Sequence, residues 1–142
     1  MEVNQPLKKA RRQYRAALKE LNNITKSQIQ GIKKIRKPPT SLQAMLSHLM
    51  FLLGAEKVKK WSHIKKCLDS PEELLERIYE LKPSDVPKNI LHILFAAIYN
   101  SRGVWEPEVM IEVNLTGARL ANWMLAFCRL AKLKRIAQAK QK

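Results

Sequence analysis

Apolar residues recur at helical intervals along almost the whole chain. From Leu7 to about Gln30, the residues Leu7, Tyr14, Leu18 and Leu21 return at seven-, four- and three-residue steps, which predicts one long helix. The stripe is as narrow as a coiled-coil seam, and Lys8, Lys9, Arg11, Arg12 and Arg15 fill the other faces. Ile24, Ile29, Ile32 and Ile35 carry the apolar line into the basic group Lys33, Lys34, Arg36 and Lys37. Pro38-Pro39 then stops the helix or bends the chain sharply, because a proline lacks the N–H that the ladder needs and crowds the turn before it. A second helix is expected from Thr40 or Ser41 to Leu53. It buries Leu42, Met45, Leu46, Leu49, Met50 and Leu53, with Gly54 as its left-handed terminator.

A short helix over 57–68 turns Val58, Trp61, Ile64 and Leu68 inward. Ser70-Pro71-Glu72-Glu73 reads as a helix start, with Ser70 as N-cap, Pro71 where no amide is needed, and Glu73 placed to close a capping box. That helix ends near Leu81. Ser84 or Asp85 is expected to cap the next, from about Pro87 to Tyr99, whose core face is Ile90, Leu91, Leu94, Phe95 and Ile98. After a turn at 100–103, only Gly117 interrupts helical sequence from Pro107 onward, at a cost of about 1 kcal/mol. The apolar positions of this last helix are Val109, Val113, Leu120, Trp123, Phe127, Leu130, Leu133 and Ile136. The expected fold is all-α, with five to seven helices and no sheet: a compact bundle of short helices caps an antiparallel two-helix coiled coil. Residues 1–37 and 123–142 are the two arms and 38–122 the cap, together one domain.

Charge sharpens this picture. The net charge is +15, and it is confined to the ends. Residues 1–37 hold eleven Lys/Arg against Glu2 and Glu20, and residues 128–142 hold six and no acid. Residues 38–127 balance ten bases against ten acids. Such a field favours an acidic partner: nucleic acid, an anionic membrane or an acidic filament surface. The longest apolar run, Leu49 to Ala55, is far too short to span a bilayer, and no apolar segment follows the N-terminal bases as in a signal peptide. Cys67 and Cys128 have no CxxC neighbour; they could pair, but a lone pair in so apolar a chain is more often two reduced, packed thiols, which favours an intracellular setting.

Candidate chemistry is sparse. His48, His63 and His92 fall on three different helices with no second ligand one turn away, so no metal site is expected. Glu72, Glu73 and Glu76 suit a capped, exposed helix start. With four glycines and no nucleophile or phosphate-loop motif, no cofactor, no small-molecule ligand and no enzymatic activity are expected.

Several segments, in order, resemble the microtubule-binding tip and adjoining stalk of a dynein heavy chain. They begin at Leu18-Lys19-Glu20-Leu21 and Ile29-Gln30-Gly31-Ile32-Lys33. The resemblance is sharpest at Pro38-Pro39, followed by an apolar helix ending in Leu52-Leu53-Gly54. Trp61 with Lys65-Lys66, Asp85-Val86-Pro87, Trp105-Glu106-Pro107-Glu108 and Trp123 continue it to about residue 137. The resemblance implies docking on tubulin, a stalk whose helix register reports to an ATPase ring elsewhere in a longer chain, and a cytoskeletal setting, in a cilium or axoneme or in the cytoplasm. The candidate contacts it singles out are Lys33, Lys34, Arg36, Lys37, Gln43, Ser47, Lys65, Lys66 and Arg119. Two features depart from the family pattern. Gln43, Ser47 and His48 stand where other members carry a lysine, and Glu112 occupies the usually basic start of the last tip helix. The alternatives are a basic helical domain that binds nucleic acid and a structural coiled-coil module that docks on other proteins without binding a filament.

Overall fold

The helix expected from Leu7 to Gln30 is two helices. The computed structural model describes residues 4–55 and 60–141; it places α1 at Asn4–Leu21 and α2 at Lys26–Lys33. The break needs no proline or glycine. Asn22 and Asn23 close α1 in a turn, and Thr25 starts α2 with a full capping box: its hydroxyl accepts from the Gln28 amide while the Gln28 side chain accepts from the Thr25 amide.

α2 ends at Lys33, before Pro38-Pro39 could stop it, whereas the next helix starts directly after Pro39 and Gly54 terminates it as expected. Thr40–Leu52 is α3, with Leu42, Met45, Leu46, Leu49 and Met50 buried, and Gly54 takes φ +100° beyond its end. Trp61–Cys67 is α4; the expected start at Lys57 and the position of Val58 lie outside the described residues. Pro71–Glu80 is α5, with Pro71 in its first turn. Ser70 makes no side-chain capping bond, so the capping box expected there is not formed. A 3-10 turn at Pro83–Asp85 follows, and here Asp85 accepts from the Lys82 amide and does not cap α6, which runs from Lys88 to Asn100. Leu91 and Leu94 of α6 are buried, and Ile90, Phe95 and Ile98 half-buried.

The last expected helix is also two. Pro107–Met110 forms the single turn α7, and Leu115–Gln141 forms α8, continuous across the expected boundary at 122/123. Asn114 makes the break, its side chain accepting from the Gly117 amide at 2.7 Å and its carbonyl from the Ala118 amide. The break shifts the helical phase, so Val109 and Val113, expected inside, are exposed. The described residues thus form eight α-helices, one more than the upper expectation, and no strand.

The two long helices pack antiparallel. Leu7 and Ala10 meet Leu130, the Tyr14 ring lies 6.0 Å from Phe127, and Asn122 donates to Glu20 at 3.3 Å. One core unites the cap with this pair, since Leu21, Ile32, Leu46, Leu49, Trp123 and Phe127 share a single buried cluster. Leu46, Leu49, Met50, Leu91 and Trp123 are buried as expected, whereas Trp61 and Phe95 are half-buried. No described helix is long and apolar enough to cross a membrane.

Candidate functional site

Nine candidate contact residues fall into three places. The first is the corner after α2. Lys34, Arg36 and Lys37 are exposed there, and Lys33 is half-buried with its ammonium 2.5 Å from the Asp69 carboxylate. The corner is fastened to α4 by the Trp61 indole N–H, which donates to the Ile35 carbonyl at 2.8 Å. Trp61 opens α4 and Asp69 lies just past its end, so α4 runs beside the corner and brings Lys65 and Lys66 with it. Lys65 is half-buried and Lys66 exposed. The structure therefore groups the four junction cations with the α4 lysines, although about thirty residues separate them in sequence. Lys33 is partly neutralised by Asp69, and Lys26 pairs in the same way with Glu72.

The second place is the face of α3 that turns toward α6. Gln43 and Ser47 line a groove of about 490 Å³ with Thr40, Ala44, His48 and Phe51, closed by Ile93 of α6. His48 is fixed. Its Nδ1 lies 2.8 Å from the Ala44 carbonyl, which can only accept, so Nδ1 carries the proton. Its ring packs 5.2 Å from the Trp105 ring. The sequence reading missed this groove because Phe51 and Ile93 come from two helices whose crossing is set by the tertiary fold.

The third place is Arg119, half-buried in the second turn of α8. Three residues on, Asn122 bonds Glu20 of α1, so Arg119 sits toward the α1–α8 seam. Between α7 and α8 the surface changes character. Val109, Ile111, Val113 and Leu115 are 36–50% exposed, and Glu108 and Glu112 are exposed beside them. The described residues contain no His/Cys/Asp/Glu group able to hold a metal ion.

No protein-family model matches the sequence. Dynein axonemal heavy chain 2 of Homo sapiens and that of Mus musculus are each 22% identical to this chain over 125 residues. The match takes in 88% of this chain but only 3% of those proteins, so the chain spans a small fraction of the curated relatives it matches. Among solved structures, the microtubule binding domain of dynein-c superposes with a TM-score of 0.79 at 19% identity, covering 94% of this chain and 92% of that one. At such identity the likeness speaks for architecture, and it extends over both long helices and the cap: this chain has the fold of a dynein microtubule binding domain.

Proposed function

We propose that this chain is the microtubule-docking tip of a dynein-type heavy chain, with α1 and α8 as the base of its stalk. The observation that carries the reading is the likeness to the dynein-c microtubule binding domain along nearly the full length of both chains. The weaker sequence match to axonemal heavy chains over 88% of this chain supports the same conclusion and favours a ciliary, cytoskeletal setting. The motor's ATPase would reside in other parts of the parent chain, and this segment would bind and transmit. In this reading the antiparallel pair carries the signal: a shift of α1 along α8 alters the seam around Tyr14 and Phe127, which belongs to the same packed unit as α3.

Docking would rest on the corner cations. Lys34, Arg36, Lys37 and Lys66 are each exposed, and long cationic side chains steer association with an acidic filament through screened attraction. Lys33 contributes less because Asp69 holds it. Lys65, Gln43, Ser47 and Arg119 are secondary contacts. Nucleic-acid binding has less support, because Tyr14, the aromatic of the basic N-terminal arm, is half-buried against Phe127.

Co-pelleting with stabilised microtubules at two salt concentrations tests the reading. Reversing Arg36 and Lys37 to glutamate should abolish pelleting with helicity unchanged. Arg11→Glu with Arg12→Glu should alter it only through a salt-dependent shift, because these residues lie roughly 15 Å back along α1 from Leu21. Equal sensitivity at both places would replace docking by general polycation adhesion, and absence of pelleting by the unaltered chain would refute the function.

A further inference from the structure

α6 carries a second row of contacts that the tip reading does not use. Leu91, Phe95 and Tyr99 follow at four-residue steps and so stack along one face of the helix. The row climbs out of the core: Leu91 is buried, Phe95 half-buried, and Tyr99 is 83% exposed. Facing it, α8 presents Ile136, itself 38% exposed. Between the two helices lies an open groove of about 600 Å³ with these residues as its floor.

The rim is cationic. Lys88 stands at the α6 end, and Lys132 lies with its ammonium 5.0 Å above the Phe95 ring. Arg135 also lines the groove, half-buried, its guanidinium donating to the Val86 carbonyl. Among the described residues no carboxylate lines the groove. The groove thus joins an apolar floor to a rim of one sign.

We propose that this groove receives an amphipathic helix of a partner protein, apolar along one ridge and flanked by carboxylates. Shape and charge both select that occupant. The α6 wall from Lys88 to Tyr99 extends roughly 16 Å, about three helical turns, and the groove is open along its length, which suits a helix lying in it. Glutamates beside the ridge would meet Lys88, Lys132 and Arg135, and complementary rim charges fix orientation and partner choice. An occupant would touch both the cap helix α6 and the stalk helix α8, so it would clamp one to the other. Neither this surface nor the corner cations needs the other, and the two readings stand or fall separately.

The test is selection from a displayed library of helix-forming peptides of about 16 residues, long enough to fill the groove, on the immobilised full chain. Enriched peptides should carry apolar residues at i, i+3 or i+4, and i+7, with Asp or Glu beside them. Their affinity should fall at least roughly tenfold for Lys88→Glu with Lys132→Glu, and as much for Tyr99→Ser with Ile136→Ser. These side chains are at the surface, so circular dichroism should be unchanged. Arg11→Glu with Arg12→Glu should leave binding intact, and peptides with lysine in place of glutamate should regain the charge-reversed variant. Failure to enrich acidic amphipathic sequences, or peptides indifferent to the charge reversal, would overturn the proposal. So would a concentration-dependent dimer abolished by Tyr99→Ser, which would give the groove to a second copy of this chain.

Discussion

Replacing Gly117 by alanine sets two effects of known size against each other. Gly117 lies in the first turn of α8, its amide bonded to the Asn114 side chain. In an open helix the exchange stabilises by about 1 kcal/mol, because alanine loses less backbone freedom on folding. Here a Cβ would lie 2.7 Å from Leu42 Cδ1. Carbon atoms pack at roughly 3.5–4.0 Å, so Leu42 would have to retreat by about 1 Å. Leu42 is 0% exposed and enclosed by the core, which makes the retreat an overpacking cost of about 1–3 kcal/mol. The net expectation is a loss of about 0–2 kcal/mol, or a drop in Tm of roughly 2–4 °C per kcal/mol for a domain of this size. Leu42→Ala alone should cost about 2–5 kcal/mol through the cavity it leaves. In the double variant the new methyl meets no Cδ1 and occupies part of that space. It should therefore be more stable than the sum of the singles by at least about 1 kcal/mol. Urea denaturation followed by circular dichroism measures all four corners of the cycle. A single Gly117→Ala that stabilises by the full open-helix amount, or additivity within about 0.5 kcal/mol, would refute the close approach of α3 to α8.

Burial pushes the Cys128 thiol up to about 12, so an aromatic disulfide reagent near neutral pH should titrate half-buried Cys67 and reach Cys128 only on unfolding. Between the ordinary thiol value of 9.0 and about 12 the unfolded chain releases this proton and the native chain keeps it. Native stability should therefore fall as pH rises through that window, and Cys128→Ala should fall less steeply in parallel urea titrations. Glu112→Lys should tighten microtubule co-pelleting about three- to tenfold at low salt, since a two-unit charge change near an acidic surface is worth a fraction of a kcal/mol per charge after screening. An unchanged affinity would mean that the α7–α8 connection faces away from the filament. Trp61→Phe removes the donor to the Ile35 carbonyl and should cost about 1–2 kcal/mol in thermal denaturation; a loss under about 0.3 kcal/mol would show that the bond contributes nothing.

What could be read directly from the chain was whatever its punctuation states locally. Pro39, Gly54, Pro71 and Pro107 bound α3, α5 and α7 as expected, because proline and glycine act through their own backbone. The two missed breaks rest on asparagine. Asn22-Asn23 and Asn114 are tolerated inside helices, and only the competing caps at Thr25 and Asn114 itself end the periodic run. The second miss carried the wrong faces of Val109 and Val113 with it, since a phase counted through a break is no longer valid. Within the candidate site, the junction cations were visible as a cluster in sequence. That Asp69 neutralises Lys33, and that α4 supplies Lys65 and Lys66 beside them, depends on tertiary contacts across some thirty residues. The α6–α8 groove was hidden for the same reason: Leu91 and Phe95 read as core positions, and only the placement of α8 shows that a trough opens over them toward exposed Tyr99.

The antiparallel pair also dictates an order of assembly. Glu20 and Asn122, which meet at the cap end of the seam, are 102 residues apart in sequence. Closing a flexible loop of that length costs about 4 kcal/mol in chain entropy before any contact offsets it. The contacts that close the cap span shorter loops, such as the 36 residues between Lys33 and Asp69, at about 3 kcal/mol by the same relation, so the cap is expected to condense first and to hold the two arms at a short effective separation. Pairing then proceeds outward, from Leu21 and Asn122 toward Leu7 and Leu130. The first contacts to close decide which residues of α1 oppose which residues of α8, and the remainder of the seam inherits that choice. A core substitution in the cap will for this reason loosen an arm that it never touches.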